Sequence, residues 1–245
     1  VRKFDGGTRL FLPARLGDNP FLRKADAGYE KRLKLLSPTD RKALLDGVWE
    51  LNEGQYFSEF SRDLHVVKPY AIPHDWRRCL TIDYGLDMLA ALWIAQSPDG
   101  HSVVYRELYR PGLIISDAAA QMLACETAGE RIDCRLAPPD LWNRRQETGK
   151  SAVQLFADCG LDFEKSSNER VAGWLALHEL LMPRKDTDGA VRPRLTIFDT
   201  CRNLIRTLPA LQHDKRNPSD AANTPHELTH APDALRGYAA TVYEP

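Results

Sequence analysis

The sequence has few cysteines, no long apolar run and almost no net charge, and each shortage removes a class of protein. Its five cysteines, Cys79, Cys125, Cys134, Cys159 and Cys201, are scattered, with no CxxC pair among them. That spacing argues against a zinc cluster and suits reduced thiols packed in an interior, as expected of a reducing compartment. Apolar runs such as Cys79 to Ile82 and Leu89 to Ala95 fall far short of the roughly 20 residues that a membrane helix needs. No GxxxxGK followed by Ser or Thr occurs, and no glycine-rich phosphate loop, so a motor ATPase is not expected within this chain. The opening VRKFDGGTRL has neither Met nor a leader pattern, and a segment of a longer polypeptide is expected from it.

What is present is enough hydrophobic residue, 43% of 245, to bury a large core. The formal net charge of −1 hides an uneven distribution, because Lys and Arg outnumber Asp and Glu between Arg2 and Lys42. The first seventy residues read as a mildly basic arm, with a helical run from about Asp26 to Leu45 that breaks at Ser37-Pro38. The aperiodic PYAIPHDW is a natural boundary, which predicts an arm over 1–70 and the main domain over 71–245.

From Arg78 onward the periodicity alternates between strand and helix. RCLTIDY, ALWIAQS and VVYRELY predict three strands in a meander, the last two joined by the turn SPDG. A helix from Ser116, the strand RIDCRLA, and a helix closing at Gly160 follow. Ser166 and Glu169 have capping-box spacing before a helix whose buried face would hold Val171, Trp174, Leu175, His178 and Leu181. RLTIF is the fifth strand, and after the polar loop between Gln212 and Glu227 a last helix buries Ala231, Leu235, Tyr238 and Ala239. The class is α/β, a five-stranded mixed sheet flanked by helices.

Three carboxylates stand at the ends of these elements. Asp83 ends an otherwise apolar strand, where an ionised carboxylate is costly without a cation or hydrogen bonds. Asp140 follows the fourth strand in LAPPDLW, and Asp233 opens the last helix one turn after His230. Converging, they would suit two Mg²⁺ or Mn²⁺ ions, which prefer oxygen donors and serve phosphodiester cleavage. Taken singly, each also has a structural reading, as a strand-end turn, a turn after Pro139 and a first-turn helix acid.

Several separated segments resemble the C-terminal part of the phage large terminases. RLFLPARLGDNPFL and LLDGVWELNEGQYF resemble the stretch that joins the terminase ATPase to its nuclease. LTIDYG, YRELY, LAPPDLWNRRQETGK, NERVAGW, FDTCRNLIRTLPAL and THAPDALRGYA resemble the nuclease itself, an RNase H-like (RuvC-type) domain. The resemblance implies metal-dependent cutting of double-stranded concatemeric viral DNA during packaging, in the cytoplasm of the bacterial host. It implies an ATPase domain upstream, and the small terminase subunit and portal protein as partners, with no membrane. Residue by residue, it makes Asp83, Asp140 and Asp233 the metal ligands, with His230 auxiliary to them. Many relatives place an acid directly before the proline where this chain has Pro138, so Glu107 is an alternative second acid, followed by Asp87 and Asp199. Arg144, Arg145, Lys150, Arg202 and Arg206 are candidates for DNA phosphate contact, or a solvated surface. A junction resolvase of the same fold and a non-catalytic DNA or portal docking module are the competing readings.

Overall fold

Apolar patterning accounts for the strands of the sheet. A computed structural model describes residues 54–242, apart from 86, 145, 147–148 and 186–188, together with the backbone of Arg2–Phe4 and Gly7–Arg9. The chain divides into two compact units, Val1–Gln55 and Tyr56–Pro245. In the first, Arg2–Phe4 pairs antiparallel with Gly7–Arg9, and the helical run expected from Asp26 to Leu45 lies outside the described residues.

In the second unit, besides a small hairpin of Arg184–Lys185 and Val191–Arg192, the strands of the main sheet, in chain order, are β1 (Val66–Val67), β2 (Arg77–Tyr84), β3 (Leu89–Gln96), β4 (Ser102–Arg110), β5 (Cys134–Ala137), β6 (Glu164–Lys165) and β7 (Leu195–Phe198). Among the described residues they form one mixed sheet in the order β1-β7-β4-β3-β2-β5-β6. β2, β3 and β4 are the expected antiparallel meander, and β5 runs parallel to β2. β3, at the centre, is apolar and buried from Leu89 to Ala95 because both its faces are covered. The turn at SPDG closes with Gly100 at φ +87, a left-handed conformation that glycine adopts without cost.

The helices are α1 (Arg62–His65), α2 (Ile115–Cys125), α3 (Ala152–Asp158), α4 (Arg170–Leu181), α5 (Arg202–Thr207) and α6 (His230–Val242). Alternation in β2 sends Leu80, Ile82 and Tyr84 to the face packed by α2 and α3. It sends Cys79, Thr81 and Asp83 to the face covered by α4 and α6, where the Thr81 hydroxyl donates to Ala234 O at 2.8 Å. α4 and α6 approach closely at Gly173, where a Cβ would stand 2.8 Å from Arg236 Cγ and 3.0 Å from Ala240 Cβ.

Three expectations need correction. The sheet has seven strands rather than five, because β1 and β6 are two-residue edge strands, too short to carry a period-2 pattern. The second unit begins at Tyr56 rather than at residue 71: Tyr56, Phe57 and Phe60 are buried in its core and β1 pairs with β7. Pro69 and Pro73 lie in the stretch without regular structure between β1 and β2. α4 starts without a side-chain cap, Ser166 instead donating its backbone N–H to Ala137 O, and Leu175 is exposed while Gly173, Leu177 and Leu180 face inward.

Candidate functional site

Asp83 is the penultimate residue of β2, its side chain 29% exposed on the face beneath α6. The parallel pairing of β2 with β5 runs through Thr81 opposite Leu136, so the chain leaving β5 reaches the level of Asp83 at Pro138. Pro139–Trp142 then forms a 3₁₀ turn that holds Asp140 exposed at the same end of the sheet. α6 enters over β2, and the bond from Thr81 to Ala234 sets Asp233 beside the strand end.

His230 joins the first and last of these elements. Its Nδ1–H donates to Asp83 Oδ2 at 2.8 Å, since an ionised carboxylate only accepts, and its Nε2 lies 3.3 Å from Asp87 Oδ2. The contact with Asp83 raises the imidazole pKa, against an opposing effect of burial. Burial raises the Asp83 carboxyl, the hydrogen bond from His230 lowers it, and the charges of Asp233 and Asp140 raise it again.

Asp233 is held differently. Its Oδ1 accepts from Arg170 Nη1 at 2.9 Å and from Arg236 Nε at 3.0 Å, so both ion pairs use one oxygen. Arg170 also grips Asp220 through Nε, at 2.8 and 3.1 Å to its two oxygens, and donates to Ala221 O from Nη2 at 3.2 Å. The indole N–H of Trp174 donates to the same Asp220 Oδ1 at 2.8 Å. Sequence reasoning misses Arg170 and Asp220: an arginine at a helix start and an aspartate in a polar loop give no local sign of meeting 50 residues apart.

Glu107, the alternative second acid, has another task. Oε1 accepts from Asn203 N at 3.0 Å and Asn203 Nδ2 at 2.8 Å, and Oε2 accepts from Leu204 N at 2.7 Å. It thus caps α5 from a neighbouring strand, satisfying backbone donors that a first turn leaves open. Glu107→Ala is expected to lower stability by about 1–3 kcal/mol, read from the urea midpoint. A ligand role would give the opposite result, lost metal binding at nearly unchanged stability. Asp199 pairs with Lys68 at 2.6 Å and is likewise engaged.

Of the basic candidates, Arg144, Arg202 and Arg206 are exposed. Lys150 pairs with Asp158 at 2.7 Å with both side chains about half exposed. Arg206 lies against Tyr109, whose hydroxyl donates to Glu227 O at 3.1 Å. Arg145 lies outside the described residues.

No family model matches the chain, and no curated protein matches it in sequence. Solved structures do match it. The large terminase of a thermophilic bacteriophage in complex with ADP superposes over 93% of this chain and 54% of its own, with 15% identity and a TM-score of 0.61. The nuclease domain of the P22 large terminase aligns over 77% of this chain and 92% of its own, with 16% identity and a TM-score of 0.60. The large terminase nuclease of the thermophilic phage G20c, solved with bound magnesium, aligns over 79% of this chain and all of its own, with 14% identity and a TM-score of 0.50. The fold is that of a large-terminase nuclease domain. This chain spans about half the length of the ADP-bound terminase.

Within the terminase nuclease fold, the donor set can be tested for a metal. Among the described residues no group of three or more His, Cys, Asp or Glu side chains stands close enough to hold a metal ion between them. The donor chemistry nevertheless suits a hard divalent cation, because Asp83, Asp140 and Asp233 offer carboxylate oxygens and the charges of the latter two raise the Asp83 carboxyl. The five cysteines are free, and Cys79, Cys134 and Cys201 are buried. Among the described residues no helix is long and apolar enough to cross a membrane.

Proposed function

We propose that this chain is the nuclease part of a phage large terminase, a metal-dependent endonuclease that cuts double-stranded concatemeric DNA during genome packaging in the bacterial cytoplasm. The observation that supports it best is the fold shared with terminase nucleases, in which His230 of α6 hydrogen-bonds Asp83 at the end of β2 while Asp140 and Asp233 lie at the same end of the sheet. An ATPase domain of the same polypeptide, the small terminase subunit and the portal are the partners this reading implies.

Two Mg²⁺ or Mn²⁺ ions, when bound, would supply activation of a water and stabilisation of the leaving oxygen. Asp83, Asp140 and Asp233 would be the carboxylates that hold them. His230 orients Asp83 through its Nδ1–H and neutralises part of the charge there. No side chain need act as nucleophile. Exposed Arg144, Arg202 and Arg206, with Lys150 and Arg145, are proposed to meet phosphates, which would make binding weaken steeply with salt.

Relaxation of supercoiled plasmid by the purified chain tests the reading. Nicking with Mn²⁺ or Mg²⁺ that stops on chelation is expected, with linear duplex cut as readily as a four-way junction. Preference for the junction would favour a resolvase. DNA binding without cleavage at millimolar metal would favour a docking module.

A further inference from the structure

Resting on the reading of Asp233 as a metal-binding carboxylate, we propose that Arg170 is a positioning residue: it fixes Asp233 through Oδ1 and, with Asp220 as its counter-charge, presents the carboxylate to the metal. The geometry is specific. One guanidinium spans two acids from different segments, Asp220 on the polar loop and Asp233 on α6, while α4 carries Arg170 itself. All three side chains are less than a third exposed. The guanidinia of Arg170 and Arg236 both lie over the Trp174 ring, at 5.3 and 5.4 Å from its centre, so the arrangement is packed as well as hydrogen-bonded.

Charge explains why Asp220 is needed. Two arginines on one carboxylate oxygen would make Asp233 a poor donor to a further cation. Asp220 takes both Nε contacts of Arg170, and the Trp174 indole together with the backbone N–H of Ala221 holds Asp220 Oδ1 in place. Arg170 is then largely neutralised before it meets Asp233, and it orients that carboxylate without claiming its charge. The planar fork suits this task and a lysine ammonium does not, since one point charge cannot hold both acids in fixed directions.

The test is calorimetric titration of the full chain with Mn²⁺, well below its melting temperature, for wild type, Arg170→Gln, Arg170→Lys, Asp220→Asn and Asp233→Asn. Arg170→Gln is expected to weaken Mn²⁺ binding by about 10–100-fold, as loss of a partner that orients a metal ligand typically does. Arg170→Lys is expected to recover part of that loss, and Asp220→Asn to weaken binding by leaving Arg170 uncompensated. In the Asp233→Asn background, Arg170→Gln should have no further effect on affinity, which a purely structural role does not predict. Should Arg170→Gln fail to fold, Arg170→Lys and Asp220→Asn carry the test. Folded variants that bind Mn²⁺ as wild type does, with only a lower melting temperature, overturn the proposal. Wild type that binds no Mn²⁺ at millimolar concentration overturns both this proposal and the metal-site reading beneath it, without any substitution having been made.

Discussion

Replacing Asp83 with Asn is expected to lower metal-dependent nicking by about a thousandfold, because several kcal/mol of charge stabilisation at the metal are lost and each 1.36 kcal/mol is tenfold in rate. The amide keeps the size of the side chain and an acceptor for His230, so the loss would report charge rather than shape. Plasmid relaxation at saturating Mn²⁺ measures it, and cleavage persisting at the wild-type rate would remove Asp83 from the site. A partial loss rescued by high metal concentration would instead point to weakened binding at an otherwise competent centre.

The same substitution has a stability signature of opposite sign. The Asp83 carboxyl is raised by burial and by the neighbouring Asp233 and Asp140 charges, against the hydrogen bond from His230. A carboxyl raised in the folded state holds its proton more tightly there than in the unfolded chain. That contribution is fully present below the unfolded value and disappears as pH rises through the folded one, so at neutral pH the ionised group opposes folding. Without metal, Asp83→Asn should therefore melt at or above the wild-type temperature near pH 7, the difference vanishing in acid. With metal the order should reverse, since a cation that binds only the folded state stabilises the protein that retains its ligands. Melting curves at two pH values, with and without Mn²⁺, distinguish this from a general loss of structure.

How much of this is legible in sequence depends on whether a residue's role is local. Asp83 is legible because a charge at the end of a strand of apolar neighbours has to be explained, and Asp233 because it stands one turn from a histidine at the start of a strongly patterned helix. The meander is legible from short strand-length runs, the apolar middle one joined to the next by a glycine turn. Glu107 is not: its position on a strand says nothing of Asn203, 96 residues later, in the first turn of a helix that takes its cap from it. Arg170 and Asp220 fail for the same reason, each being ordinary for its element until the fold brings them together. The edge strands β1 and β6 are set by pairing with their neighbours and not by any pattern of their own. Asp140 lies between these cases, because its place after β5 follows from the strand, whereas the 3₁₀ turn that exposes it follows from two prolines.

Phe156→Ala is expected to have the largest effect on stability, about 3–5 kcal/mol, as truncation of a fully buried aromatic leaves a cavity its neighbours only partly fill. Phe156 lies on α3, which a full capping box between Ser151 and Gln154 holds in register, so the helix cannot easily shift to close the gap. Its ring packs edge-on against Tyr84 at 5.3 Å and Phe163 at 5.4 Å, joining the sheet to the segment that leads into β6. For a unit of this size, the loss corresponds to a melting temperature lower by roughly 10 °C. Tyr84 is adjacent to Asp83 in β2, yet its side chain points to the opposite face, the one packed by α2 and α3. Damage at Phe156 should therefore spread through the packing of α2 and α3 on that face and leave Asp83, with His230 and Asp233 of α6 on the other face, in place. Thermal denaturation of the variant should show the fall, and nicking measured well below the new melting temperature should remain within a few-fold of wild type. A variant that melts normally would contradict the packing of α3. One that melts early and is also inactive when folded would mean that the two faces of the sheet are coupled through β2.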